Sequence, residues 1–203
     1  MKNIDNVIKS LIKEFDNLNS RRETALTLSR EIIRLCSKSI RSVHRNQYSD
    51  ASTYLNEAAK KDKKLKNYIQ NIPELRFAGY VIEAEKELVE ASIVLEYELT
   101  GKFLKFSAIE VSASSFIQGI GDAIGEWRRK ALDNLREMNI TEGEKYLEIM
   151  EAAFEILNEL DYPDALTGGL RRYADNARGI IERTRSDITN AVINENLRKE
   201  LLR

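Results

Sequence analysis

The sequence has few of the residues that break or cross-link regular structure. Its 203 residues include two prolines, nine glycines, one cysteine and one histidine. So few turn-forming residues disfavour a sandwich of many short strands, and 42% apolar with 32% charged residues favours long helices. The lone Cys36 makes neither a disulfide framework nor a four-cysteine metal site. At this length we expect one domain over residues 1–203.

Long apolar runs are also missing. No stretch approaches the ~18 uncharged apolar residues that span a bilayer, and Met1–Asp5 lacks the apolar core of a signal peptide. We therefore expect a cytoplasmic protein without a membrane partner. The net charge of -1 does not attract a polyanion, so a nucleic-acid surface would have to come from the local distribution of charge.

Apolar residues recur at spacings of three and four along almost the whole chain, which predicts an all-α bundle of six to seven long antiparallel helices. The helices are expected at about residues 4–45, 50–70, 74–99, 112–138, 141–162 and 165–203. Ser49 or Asp50 would cap the second helix, and Gly101 would end the third. Ser112–Ser115 would cap the fourth helix, and Thr141–Glu144 would form a capping box for the fifth.

The first helix carries a row of basic side chains, which we call the α1 ridge. Its members follow one another at spacings of four, four, three and four: Arg30, Arg34, Lys38, Arg41 and Arg45. They share one helix face over about 22 Å, where the phosphates of a single strand could follow them. His44, the only histidine, is assigned to this ridge as a phosphate contact in preference to a catalytic base.

A second basic run, Lys60 to Lys66, is followed by Tyr68, Arg76 and Phe77. Cations mixed with aromatic rings are typical of surfaces that bind single strands by charge and stacking. The alternative is that both basic runs are solvated faces paired with Asp and Glu, as most charge runs are.

Carboxylates occur at helical spacing on the third and fourth helices. Glu83, Glu87 and Glu90 lie at i, i+4 and i+7 beside apolar residues, and Asp122 and Glu126 lie at i and i+4. Several anions on a half-buried face need a cation or raised pKa values. An all-oxygen set suits Mg²⁺ or Mn²⁺, whereas the competing interpretation is salt bridging, for instance of Glu126 with Arg129 or Lys130.

Three glycines surround the second pair of carboxylates, Gly119, Gly121 and Gly125. Each costs a helix about 1 kcal/mol relative to alanine. Close approach of another helix or of a ligand would explain them. A phosphate-binding loop is excluded because no strand precedes these glycines.

Three segments in this order resemble the translin and translin-associated factor X family. They are Leu35–Arg45 (LCSKSIRSVHR), Arg76–Tyr80 (RFAGY) leading into Glu87–Ala91 (ELVEA), and Gly119–Arg129 (GIGDAIGEWRR). The resemblance implies an all-α chain that assembles into a hollow octamer, whose inner surface binds single-stranded RNA or DNA. The translin-associated factor X branch also supplies acidic residues for Mg²⁺-dependent endoribonuclease activity.

The catalytic acids of that branch occur as Glu-x-x-Glu and Asp-x-x-x-Glu. In this sequence the two patterns fall on Glu87, Glu90, Asp122 and Glu126, and Glu83 is left unassigned. Plain translin lacks the complete set. The resemblance therefore implies a catalytic-type chain, which as a single polypeptide would form a homo-oligomer.

Three hypotheses follow from the sequence. The first is an endoribonuclease on single-stranded RNA, in which the four carboxylates hold Mg²⁺ or Mn²⁺ and Arg30, Arg34, Lys38, Arg41, His44, Arg45 and Arg76 contact nucleic acid. The second is a translin-like protein that binds single-stranded RNA or DNA without cutting it. The third is a helical scaffold that binds no nucleic acid and whose ridge and acidic face meet across a subunit interface.

Overall fold

The computed structural model describes residues 2–202, with side chains from residue 4 onward, and this part of the chain contains eight α-helices and no strand. The helices are α1 (Lys2–His44), α2 (Tyr48–Ile69), α3 (Pro73–Arg76), α4 (Gly79–Thr100), α5 (Ala113–Arg136), α6 (Ile140–Glu159), α7 (Asp164–Thr167) and α8 (Leu170–Leu201). The predicted all-α fold is confirmed. None of the described helices combines the length and the apolar character needed to cross a membrane.

The helices form two layers. Helices α1, α4, α5 and α8 lie side by side, while α2 packs behind α1 and α4 and α6 packs behind α5 and α8. Helices α4 and α5 run parallel, since Lys86 of α4 meets Asp122 of α5 and, further along both helices, Glu98 meets Lys130. The faces of α4 and α5 that point away from α2 and α6 are therefore left open on the front of the bundle.

Two apolar clusters hold the layers together. One joins α1, α2 and α4 around residues such as Ile32 and Leu65. The other joins α4, α5, α6 and α8 around Trp127, which is fully buried. Helix α4 contributes to both clusters, so its position relative to α1 and α5 is set by apolar packing on each side.

Several predicted helix ends are confirmed. Helix α1 ends at His44, and Gly101 ends α4 in the left-handed conformation with φ of 67°. The Ser112 hydroxyl accepts the Ser115 N–H at 3.0 Å at the start of α5. The irregular segment between α4 and α5 contains only a short 3-10 turn at Phe106–Ala108.

Other predicted ends are wrong. The predicted third helix is split, because Ala78 is extended and separates α3 from α4. No capping box forms at Thr141, because Met138 adopts positive φ and lets α6 begin at Ile140. Helix α2 begins after Gln47 rather than after Ser49 or Asp50.

The last predicted helix is also divided. Its first turn is the separate α7, and the left-handed Gly168 and Gly169 redirect the chain before α8. A residue other than glycine would be strained at both positions.

Candidate functional site

The two predicted carboxylate pairs lie on the open front of the bundle. Glu87 and Glu90 project from α4 and Asp122 and Glu126 from α5, and the parallel packing of the two helices brings the pairs together. Glu90 is the most deeply placed, with 8% of its surface exposed. The side chains of Asp122 and Glu126 are 29% and 26% exposed. We call these four residues the acidic cluster.

The pKa values of Glu87 and Glu90 reflect this crowding. Burial raises the pKa of Glu90 to about 8, and the charges of Glu87, Asp122 and Glu126 contribute to the rise. The pKa of Glu87 is also raised, chiefly by burial and then by its acidic neighbours, although Lys86 opposes the change. Carboxylates this close favour either protonation or a bound cation.

Lys86 supplies one positive charge to this region. Its ammonium lies 2.9 Å from Glu83 Oε1 and 3.0 Å from Asp122 Oδ2. Burial by itself would lower the pKa of Lys86, but the hydrogen bonds to Glu83 and Asp122 outweigh burial and raise it. Lys86 is therefore a cation held between α4 and α5, and Glu83 is tied to it at the edge of the acidic cluster.

His44 also lies at the acidic cluster and not on the exposed ridge where the sequence placed it. Its side chain is 4% exposed, and its Nε2 contacts Glu126 Oε2. Its Nδ1 is buried and has no hydrogen-bond partner among the described residues. The last turn of α1 thus delivers an imidazole to a carboxylate of α5.

The salt bridges proposed as the alternative for Glu126 are not formed. Arg129 is exposed and has no ion-pair partner within residues 4–202. Lys130 points to α4 and to the turn between α1 and α2, where it lies 3.3 Å from Glu98 and 2.9 Å from Asn46 Oδ1. Among the described side chains, Glu126 is left with His44 as its one ionic contact.

Two of the three glycines of α5 allow close helix contacts, as the sequence suggested. A Cβ atom on Gly119 would lie 2.5 Å from Val89 of α4, and one on Gly121 would lie 2.5 Å from Tyr173 of α8. Gly125 differs, because a Cβ there would meet nothing within 4 Å. The surface of α5 at Gly125, next to Glu126 in the chain, is therefore open.

The four side chains of the acidic cluster have the right chemistry for a hard divalent cation, but their present positions are not those of a formed metal site. All four side chains offer carboxylate oxygen, the donor that Mg²⁺ and Mn²⁺ prefer. As the side chains are placed, however, no three His, Cys, Asp or Glu residues of the described chain are grouped closely enough to hold a metal ion. The Lys86 ammonium and the His44 ring instead contact Asp122 and Glu126.

The α1 ridge is exposed except for Lys38, which lies over the Tyr54 ring with its nitrogen 5.3 Å from the ring centroid. None of its five members forms an ion pair with a residue whose side chain the structure describes. Because neighbouring like charges on a helix repel one another, an exposed and unpaired row is suited to an anionic ligand.

Arg76 is not part of this exposed surface. Its guanidinium lies 2.9 Å from Glu85 Oε1, and the Glu85 side chain is fully buried. Glu85 also accepts a hydrogen bond from the Ser115 hydroxyl at 2.9 Å. The structure thus gives Arg76 a structural contact between the α3 region, α4 and α5.

The second basic run is partly committed in the same way. Lys61 pairs with Glu31 at 2.8 Å, and Lys66 pairs with the buried Asp62 at 2.6 Å. Lys60, Lys63 and Lys64 are exposed. This run is therefore a weaker candidate surface than the α1 ridge.

Comparison with known proteins places the chain in a family. It is 37% identical over 195 residues to the uncharacterized protein MJ0175 of Methanocaldococcus jannaschii, a match that covers 95% of this chain and 86% of that protein. The crystal structure of AfC3PO superposes with a TM-score of 0.85 at 36% identity, covering 92% of this chain and 97% of that chain. AfC3PO is a translin-like protein. This protein belongs to the translin family.

Two further structures share this fold. A complex of AfC3PO with duplex RNA gives a TM-score of 0.84 at 34% identity, covering 92% of this chain and 97% of that chain. Apo-NeC3PO gives 0.80 at 24% identity, covering 91% and 96%, and shows the shared fold alone. No protein-family model matches the sequence.

Sequence reasoning missed two neighbours of the acidic cluster in this translin-family protein. Lys86 lies one residue before Glu87, but nothing in the helical spacing says that its ammonium bridges to α5. Tyr173 comes from α8, and the pKa of its hydroxyl is raised by burial and then by Asp122. Its only sequence signal is Gly121, the small residue against which its ring packs.

Proposed function

We propose that this protein binds single-stranded RNA on the α1 ridge and cuts it at the acidic cluster in a reaction that needs Mg²⁺ or Mn²⁺. The observation that carries the proposal is the convergence of Glu87, Glu90, Asp122 and Glu126 on the open front of the bundle. Carboxylates crowded together on a half-buried face are costly unless a cation or another function compensates for them.

Glu87, Glu90, Asp122 and Glu126 would hold the cation. When bound, Mg²⁺ or Mn²⁺ would polarise the scissile phosphate and provide an activated water. Lys86 now stands beside Asp122, where its positive charge reduces the repulsion between the carboxylates, and His44 contacts Glu126. The open surface at Gly125 leaves room beside these acids for a phosphodiester.

The α1 ridge would hold the rest of the strand. Its exposed arginine side chains form no ion pair with a described carboxylate, so no such pair has to break before they contact phosphate. The duplex RNA in the AfC3PO complex supports RNA as a ligand of this fold. We extend the proposal to single-stranded DNA as a ligand, because the ridge contacts phosphates and not the 2′-hydroxyl that distinguishes RNA.

Cleavage of labelled single-stranded RNA with Mg²⁺ or with EDTA tests this function. We expect cleavage only with the cation, and a loss of about 100-fold or more in Glu90→Gln and Asp122→Asn. Glu83→Gln is the matched control, because Glu83 is on the same helix outside the set. Wild-type rates in folded Asp122→Asn would refute the site.

The Lys86–Asp122 ion pair favours a second candidate function, binding without cleavage. In that case Lys86 would be a permanent structural cation and the carboxylates would be structural. RNA that binds in a salt-dependent way and stays intact after long incubation with Mg²⁺ would select this function.

We also propose that the protein is a homo-oligomer, as an octamer. Residues 4–17 of α1 lie beyond the bundle, where six large apolar side chains are 49–66% exposed. They are Ile4, Val7, Ile8, Leu11, Ile12 and Phe15. An exposed apolar row of this extent marks an interaction surface, and a second copy of the chain would cover it.

A further inference from the structure

Helix α8 has a basic edge beside the acidic cluster. Arg172, Asn176, Gly179 and Arg183 lie at i, i+4, i+7 and i+11, so they share one helix face. The contacts of α8 with α5 and with α6 show that this face points away from both helices. Toward α5, Tyr173 packs on Gly121, while toward α6, Arg178 lies over the Phe154 ring.

The arginine side chains on this edge are free of carboxylates. Arg172 and Arg183 are exposed, and neither forms an ion pair with any residue whose side chain is described. Arg129, on the neighbouring open face of α5, is in the same state. By contrast, Arg128 is paired with Asp187 at 2.9 Å and Arg185 with Glu151 at 2.7 Å. We call these three unpaired arginines, Arg172 and Arg183 of α8 together with Arg129 of α5, the α8 row.

The α8 row borders the acidic cluster on the side opposite to the α1 ridge. The order of helices across the front is α1, α4, α5 and α8, and the acidic residues project from the two central helices. Tyr173, next to Arg172, senses the charges of Asp122 and Lys86. Arg129 follows Glu126 by three residues. Gly125 of α5 and Gly179 of α8 have no side chains, so none projects from the surface at these two positions.

The position of the α8 row bears on the repulsion between the phosphates of an RNA strand and the acidic cluster. An RNA strand must approach a cluster of carboxylates that repels its phosphates. Basic side chains on only one side would hold the strand at the edge of the cluster, whereas basic side chains on both sides would hold it across the cluster. Arg172 and Arg183 are eleven residues apart along the helix, about 16 Å, which is enough for more than one phosphate.

We propose that the α8 row is a second phosphate-binding surface, which with the α1 ridge holds single-stranded RNA across the acidic cluster. This inference rests on the RNA-binding function proposed above. It assigns a role to residues outside the motifs that carried the family resemblance, with the exception of Arg129. The ligand group is the phosphodiester backbone and not the base, because the row offers guanidinium groups without a free aromatic platform.

The test is the salt dependence of binding, measured by fluorescence anisotropy with labelled single-stranded RNA in EDTA so that no cleavage occurs. For Arg172→Ala/Arg183→Ala we expect roughly tenfold weaker binding. We also expect the slope of log K against log salt to fall by about 1.4, which is about 0.7 for each lost phosphate contact. Arg172→Lys/Arg183→Lys should keep most of the slope, because lysine retains the charge.

The matched control is Arg171→Ala/Arg178→Ala, which removes two positive charges from exposed residues on the α6 side of the same helix. This control should keep the wild-type slope. If the α8 variant binds like wild type while Arg34→Ala/Arg41→Ala binds more weakly, the α8 row is refuted and the proposed function stands. If the wild-type protein does not bind RNA at all, both are refuted.

Discussion

Glu90 shows how one buried residue links the stability of the protein to its proposed function. Its raised pKa means that the folded protein binds a proton there more tightly than the unfolded chain does. The contribution of Glu90 to stability is therefore complete below about pH 4, near the pKa of a free glutamate, and is lost as the pH rises toward 8.

We predict that Glu90→Gln is increasingly more stable than wild type as the pH rises from 5 to 8. A glutamine stays neutral over this range and so lacks the loss that Glu90 suffers. Thermal unfolding in EDTA followed by circular dichroism measures the difference, with Glu83→Gln as control. If the difference in melting temperature between Glu90→Gln and wild type does not change with pH, the raised pKa of Glu90 is contradicted.

Arg76 and Arg34 separate a structural arginine from a surface arginine. We expect Arg76→Ala to lower the free energy of unfolding by about 3 kcal/mol, because it removes a partner of the fully buried Glu85. Arg34→Ala should change it by less than about 0.5 kcal/mol, since Arg34 is exposed and unpaired among the described residues. Urea unfolding measures both values.

The same pair makes opposite predictions for RNA. Arg34→Ala should lower the salt slope of RNA binding by about 0.7, as expected for one lost phosphate. Arg76→Ala should keep the wild-type slope wherever it remains folded. A lowered salt slope of RNA binding in Arg76→Ala would mean that Arg76 contacts nucleic acid, as the sequence analysis predicted.

At the scale of elements, the spacing of α4 and α5 depends on Gly119. We predict that Gly119→Ala destabilises the protein by about 1–3 kcal/mol, because its Cβ would lie 2.5 Å from Val89 Cγ1 and 3.0 Å from the Lys86 carbonyl oxygen. A forced separation would also move Glu87 and Glu90 away from Asp122 and Glu126. Cleavage should therefore fall together with stability.

Gly125→Ala is the control for this prediction. A Cβ there would meet nothing within 4 Å, so alanine should stabilise α5 by up to about 1 kcal/mol through its better helix propensity. Denaturant midpoints for the two variants should move in opposite directions. Equal shifts would mean that Gly119 does not set the distance between the helices.

The length of α1 matters at the scale of the whole molecule. Its 43 residues extend about 64 Å, whereas the 22 residues of α4 beside it extend about 33 Å. The part of α1 that lies beyond the bundle carries the exposed apolar row. At the other end of the bundle, Ile193, Leu197 and Leu201 of α8 are also more than half exposed.

We predict that Leu11→Glu/Phe15→Glu lowers the oligomeric state while the helix content stays unchanged. A charge on this row would face an apolar partner surface, which is costly to desolvate. Light scattering coupled to size exclusion measures the mass. Lys9→Glu/Lys13→Glu, on the opposite face of α1, is the control, and equal masses for wild type and both variants would refute a role for this row in assembly.

The sequence by itself determined the fold class and most of the helices. Residue spacing shows which face of each helix is apolar, and a long helix with a clear apolar face has few alternatives. The family resemblance rested on ordered motifs, and the comparisons confirmed it. The split at Ala78 and the early start of α6 were missed, because they depend on backbone angles that spacing does not encode.

Only the tertiary structure decided which charged residues are neighbours. Helical spacing shows that Glu87 and Glu90 share a face, but only the parallel packing of α4 and α5 brings Asp122 and Glu126 to them. The packing of the other helices brings His44 of α1 to Glu126 and Arg76 of α3 to Glu85, and it leaves Arg172 and Arg183 of α8 exposed beside the acidic cluster. Contacts between helices depend on the distance and orientation of whole elements, and those are set by the two apolar clusters and the close contacts at Gly119 and Gly121.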